Sequence, residues 1–157
     1  MIPSDRARAE ALIAAYARHA GASERTLDAQ NNVSFGETGF YYSPDQGTLY
    51  GRVYVNKALI EDAPPAELDN YRRMVTALND AKIGGMYDRA GGYFVLDEKR
   101  QAYFLVRRFP VSMTNPPRLI RDMERLESVS ARWTTEWLYE VAMIMHGRRQ
   151  PPEQLPN

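Results

Sequence analysis

Few residues in this chain could do chemistry, and those few are scattered. The two histidines, His19 and His146, lie near opposite ends of the sequence. Each comes shortly before a glycine at the close of a helical pattern, where the helix dipole favours a cation. Neither belongs to an H-E-x-x-H pair or to a carboxylate–histidine cluster, and no G-x-S-x-G occurs. The pairs Gly84-Gly85 and Gly91-Gly92 are rich enough in glycine for a phosphate loop. Such a loop opens a helix and keeps a lysine close, whereas these glycines lead into a strand. Asp97-Glu98 is a carboxylate pair of the kind used in acid–base work, but it sits in a tight turn beside Lys99-Arg100, which reads as a solvated turn. With no cysteine there is no thiol catalysis, no disulfide and no cysteine-ligated metal. The expectation is a non-enzyme with no metal and no organic cofactor.

The composition sets further bounds. The 157 residues carry 20 basic and 20 acidic side chains. That balance argues against a general nucleic-acid binder. Arg118, Arg121, Arg125 and Arg132 form a loose basic line, but Asp122, Glu124 and Glu127 interleave with it. The pattern predicts an ion-paired solvent face. No apolar run approaches the length of a membrane span, so no membrane insertion is expected. The start of the chain lacks the pattern of a signal peptide, and the expected location is cytoplasmic. One domain over 1–147 is expected, with a proline-rich, disordered tail over 148–157.

The elements follow from changes of hydrophobic period. Ser4 to Ala20 reads as a helix capped by Ser4 and stopped by Gly21. Three strands follow within 27–56. The third alternates, with Leu49, Gly51, Val53 and Val55 on one face and Thr48, Tyr50, Arg52 and Tyr54 on the other. Pro64-Pro65 opens a second helix, striped by Leu68, Tyr71, Val75 and Leu78. Next comes a hairpin, Tyr93–Leu96 and Gln101–Val106. A helix of about 30 residues, roughly 45 Å long, then runs from Pro116, with Thr114 or Asn115 as its cap and Trp133 and Trp137 in its stripe. The order α-β-β-β-α-β-β-α predicts an α+β fold with a twisted antiparallel sheet packed against helices.

The hairpin carries a resemblance. The run Gly92-Tyr93-Phe94-Val95-Leu96-Asp97, a short turn, and Phe104-Leu105-Val106-Arg107-Arg108-Phe109-Pro110-Val111 leading into a long helix resembles the class I type III secretion chaperones, the CesT-like group. The opening helix, Leu12 to Gly21, is similar as well. The resemblance implies a bacterial homodimer that binds an extended segment of a secreted effector without ATP. A YbjN-like relative of the fold, outside any secretion system, stays open.

The aromatics fit that implication. Ten Tyr, five Phe and two Trp crowd into the strands and the last helix. Both faces of the hairpin are apolar, which calls for a cover such as a second subunit or a peptide. Leu68, Tyr71, Val75, Leu78, Phe94 and Phe104 are the expected dimer surface. Leu12, Tyr16, Phe40, Tyr42, Tyr50 and Tyr54 remain as the candidate client surface, with strand addition at a sheet edge. The alternative is a small-ligand-binding protein or enzyme, with a Tyr/Trp-lined pocket between the sheet and the last helix.

Overall fold

The computed structural model describes residues 4–58, 60–61, 63–81 and 92–145, and within them not the side chains of 77, 78, 80, 81 or 136–145. The predicted tail, the glycine pair 84–85, His146 and the side chains of Leu78 and Trp137 lie outside those limits. The element order is α1 (Asp5–Ala20), β1 (Asn32–Phe35), β2 (Thr38–Ser43), β3 (Thr48–Lys57), α2 (Pro65–Ala81), β4 (Tyr93–Asp97), β5 (Ala102–Pro110) and α3 (Pro116–Met145). This is the predicted α+β sequence of elements, and the five strands form one sheet in the order β1-β2-β3-β5-β4. One short 3-10 turn, Val111–Met113, was not expected. By density of contacts the chain divides into two units, Met1–Val53 with Val106–Glu127, and Tyr54–Leu105 with Ser128–Asn157.

The first unit is built on α1 and the β1-β2-β3 meander. Ser4 caps α1 by accepting from the Ala7 N–H. Gly21, at φ 71°, ends it, with Gly21 and Ala22 N–H groups bonded back to Arg18 and Ala17. A left-handed residue is needed there to turn the last carbonyls inward, which suits glycine. The helix buries Leu12, Ile13 and Tyr16. β1 and β2 pair antiparallel from Asn32↔Tyr41 to Phe35↔Thr38 across the two-residue loop Gly36-Glu37, and β2 and β3 pair from Thr38↔Val53 to Ser43↔Thr48. The predicted alternation of β3 holds from Leu49 to Val55: Leu49, Gly51, Val53 and Val55 are buried, and Tyr50, Arg52 and Tyr54 are half-exposed; Thr48, expected with the second group, is buried. On the first turns of α3, Asn115 is the cap, its side chain accepting from the Arg118 N–H.

The ion-paired face predicted for α3 needs correcting. Asp122 is buried, with Arg107, Arg118 and Arg121 nitrogens at 3.2, 3.8 and 3.6 Å from its carboxylate. Glu127 accepts the Tyr16 and Thr38 hydroxyls. Simple charge interleaving does not say which acid turns inward.

In the second unit, Phe94 meets Trp133 edge-to-face at 5.1 Å, and both are buried. The Ser130 and Thr134 hydroxyls donate to the Tyr54 and Val55 carbonyls at 2.5 and 2.7 Å, tying α3 to the end of β3. Tyr103 packs on Tyr71 and donates its hydroxyl to the Tyr71 carbonyl at 3.0 Å. Every residue from Ala102 to Val106 is buried. The expectation that the hairpin needs an outside cover is therefore not met for Ala102–Val106, whereas Tyr93, Val95 and Leu96 on β4 stay half-exposed.

Gly51 has a steric role. A Cβ there would land on Met123 Sδ and lie 3.2 Å from Phe109 Cε2, and both neighbours are buried. Gly51→Ala is expected to cost about 1–3 kcal/mol through overpacking, read as a lower midpoint in chemical denaturation. An unchanged midpoint would show that Met123 yields freely.

Candidate functional site

The first unit presents a cleft of about 280 Å³ between the end of α1, the loop that follows it and the β1–β2 turn. Tyr16, Ala20, Ala22, Ser23, Arg25, Phe35 and Gly36 line it. Its floor is aromatic. Tyr16 stands 5.2 Å from Phe40 and 5.8 Å from Phe35, and Phe35 stands 6.3 Å from Phe40, all tilted or edge-on. Phe40 is fully buried beneath Tyr16 and Phe35, so the trio acts as a rigid support for the cleft rather than as open apolar surface.

A hydrogen-bond fork holds that floor in place. The Tyr16 hydroxyl donates to Glu127 Oε2 at 2.8 Å, and the Thr38 hydroxyl donates to the same oxygen at 2.7 Å. Burial above all, with the Glu127 charge adding to it, pushes the Tyr16 hydroxyl up to about 12. One turn along α1, His19 contacts Glu124, so this histidine has a carboxylate partner as well as its helix end.

β1 is an edge strand, and its outer side borders the cleft. The Tyr42 N–H bonds to the Asn31 carbonyl. By the antiparallel alternation, Val33 and Phe35 then pair inward, and Asn32 and Ser34 turn their backbone groups outward. The Asn32 N–H donates to Asp28 Oδ1 at 2.9 Å, and the Asn32 carbonyl accepts from the Asp28 N–H at 2.9 Å. The Ser34 carbonyl accepts from Arg25 Nη1 at 3.2 Å. At the other edge, Asn79 clamps β4 with both ends of its amide: the Phe94 N–H donates to Oδ1 at 2.7 Å, and Nδ2 donates to the Phe94 carbonyl at 3.0 Å.

Beside the edge, the outward side of the meander carries Tyr41 and Tyr50, cross-strand partners with rings 6.1 Å apart. Tyr41 is 39% exposed. The Arg52 guanidinium lies over Gly39 and reaches Asn32 Oδ1 and Ser34 Oγ on β1. A side chain at residue 39 would displace it.

Of the six client residues expected from sequence, Leu12, Tyr16, Phe40 and Tyr42 are buried; Tyr50 and Tyr54 are half-exposed. Of the six dimer residues, Leu68, Tyr71 and Val75 are half-buried on α2, while Phe94 and Phe104 are buried within the chain. Sequence reasoning missed Arg25, Phe35, Tyr41 and Glu127. Phe35 and Tyr41 carried a signal in their strand alternation; Arg25 and Glu127 carried none. Among the described residues no group of acidic or histidine side chains is placed to hold a metal ion, and no helix is long and apolar enough to cross a membrane.

No protein-family model matches the chain, and no curated protein matches it in sequence. Solved structures do share its fold. A chain of the ExsC-ExsE complex superposes with a TM-score of 0.60 at 15% identity, covering 83% of this chain and 93% of that one. A chain of the HopA1-SchA chaperone-effector complex superposes with a TM-score of 0.54 at 16% identity, covering 85% and 99%. The likeness first seen in the hairpin thus extends over the fold.

The fork makes a testable demand. Because Tyr16 holds its proton more tightly when folded than when unfolded, its contribution is intact below pH 10 and is lost as pH rises towards 12. Stability should therefore fall over that window. Tyr16→Phe should cost about 1–2 kcal/mol at neutral pH by orphaning part of the Glu127 carboxylate and should flatten the alkaline decline. Denaturant titrations at pH 8 and pH 11 measure both.

Proposed function

We propose that this chain is a chaperone-like protein that binds an extended segment of a client, such as a secreted effector, as a homodimer and without ATP. The observation that carries the reading is an edge strand flanked by an aromatic-floored cleft, on the fold shared with a chain of a chaperone-effector complex. An extended segment gains affinity by backbone pairing at an edge and specificity from pockets for alternate side chains. β1 supplies the edge, the Tyr16–Phe35 cleft a pocket, and Tyr41 and Tyr50 further aromatic surface within the same unit. Leu12, Phe40 and Tyr42 are buried and would support the site rather than touch the segment. Work of this kind requires no catalytic group and no nucleotide. The hairpin's resemblance to the class I type III secretion chaperones supports a secreted effector as the client and the bacterial cytoplasm as the place of binding.

The homodimer reading rests on the second unit. Leu68, Tyr71 and Val75 on α2 and Tyr93 and Val95 on β4 are apolar or aromatic and only half-buried. Phe94 and Phe104 are buried against Trp133 and Tyr54 and would not touch a partner. A specific interface needs on the order of 800 Å² per partner, which a helix face with a strand can supply. The alternative, a ligand pocket lined by tryptophan, has less support, because Trp133 is packed on Phe94 and fills core.

Two measurements test the proposal. Light scattering at micromolar concentration should give twice the chain mass, and Val75→Asp should reduce it to the monomer with the fold intact; a monomeric wild type would overturn the dimer. Purification from the native host should recover a partner with a segment protected from protease only in the complex. Recovery with a bound small metabolite instead would favour the alternative.

A further inference from the structure

The two edges of the sheet are closed unequally. At β4 a single part-buried amide, Asn79, occupies both the N–H and the carbonyl of Phe94. At β1, Asp28 holds both outward groups of Asn32 as part of a local turn, where its carboxylate also accepts from the Gln30 N–H. Ser34 is treated differently. Its carbonyl is met at 3.2 Å by one nitrogen of Arg25, an exposed side chain nine residues away, and no described side chain caps its N–H.

Arg25 has an unusual position for an arginine. It lines the cleft with Tyr16 and Phe35, yet among the described residues no carboxylate pairs with it. Its neighbour Glu24 is taken by Arg18 at 2.9 Å. A guanidinium offers five N–H donors in a planar fork suited to a carboxylate. Here a backbone carbonyl receives one of them at a long distance. The cap is therefore easily displaced, and the displaced cation is left beside the cleft with no carboxylate partner among the described residues.

We propose that Arg25 determines which segments the β1 edge accepts: it caps the Ser34 carbonyl in the free chain, and it selects a partner segment that carries an acidic side chain next to the apolar residue filling the Tyr16–Phe35 cleft. The inference rests on the client-binding reading above and adds to it the chemistry of the client. The incoming backbone takes over the Ser34 groups, and the acidic side chain receives the released guanidinium as a bidentate, charge-assisted pair. A basic residue at that place meets repulsion, which gives discrimination against wrong segments as well as attraction to right ones.

The test uses a displayed library of random 12-residue peptides, selected in parallel on the full-length protein and on Arg25→Glu. The exposed position makes folding of the variant straightforward, and circular dichroism checks it. Peptides selected on the wild type should be enriched several-fold in Asp or Glu within two residues of an apolar side chain, and those selected on Arg25→Glu in Lys or Arg. A synthetic wild-type-selected peptide should bind Arg25→Glu about tenfold or more weakly, as loss of a charge-assisted hydrogen bond implies, and should slow hydrogen exchange at the Ser34 amide. If both proteins select the same sequences, or if the peptide leaves Ser34 unprotected, the role of Arg25 falls while peptide binding stands. If neither protein selects any peptide, the client-binding reading falls, and this inference with it.

Discussion

The Glu127 carboxylate is the point on which the candidate site depends. Two hydroxyls from different elements, Tyr16 of α1 and Thr38 of β2, converge on one of its oxygens. A charged acceptor makes stronger bonds than a neutral one, and neither hydroxyl has to leave its element to reach it. The consequence is positional. Tyr16 is fixed at its polar end by Glu127 and at its ring by Phe35 and Phe40, so the floor of the cleft cannot collapse or swing. A pocket for an apolar side chain gains affinity when its walls are already in place, because little ordering remains to be done on binding.

The same economy governs the sheet edges. An uncovered edge invites unwanted pairing, and this chain meets the hazard with side chains. Asn79 imitates a neighbouring strand at β4 by offering one donor and one acceptor to Phe94. Asp28 does similar work for Asn32 through its own backbone and carboxylate. Replacing either means breaking two bonds at once. At Ser34 only one bond stands in the way, and it ends on a flexible, solvated arginine. The net worth of such a bond is about 1 kcal/mol or less, a small charge against the several bonds and the buried side chain that an added strand brings.

Much of the fold was legible because it depends on period and punctuation. Ser4 and Gly21 bracket α1 as read, the alternation of Leu49 to Val55 sorts buried from half-exposed, and Trp133, read in the stripe of the last helix, is on the buried face of α3. The site was less legible, for a physical reason. Aromatic type does not say whether a ring lies in a core or on a surface. Phe40 and Tyr41 are adjacent in β2, one fully buried and one 39% exposed; alternation puts them on opposite faces, but only the structure shows that Phe40 is the one packed on Tyr16 of α1. Polar partners were hidden further still. Glu127 and Asp122 look alike in a run of interleaved charges, and their roles come from side chains far away in sequence, Tyr16 and Thr38 for one and Arg107 for the other.

Asp122 shows the opposite solution to the one at Arg25. A buried carboxylate is costly unless it is paired and hydrogen-bonded. Arg107, Arg118 and Arg121 surround it, so removal of the acid would leave converging cations, and removal of Arg107, the most enclosed of the three, would leave a poorly compensated charge. That cluster is structural because each group depends on the others. Among the described residues Arg25 bonds to nothing beyond one carbonyl, and its side chain is exposed, so its loss would leave the core untouched. The two sites place their arginines at opposite ends of one scale: where the charge is enclosed and neutralised it fixes the fold, and where it is exposed and under-partnered beside an open edge it remains available to another molecule.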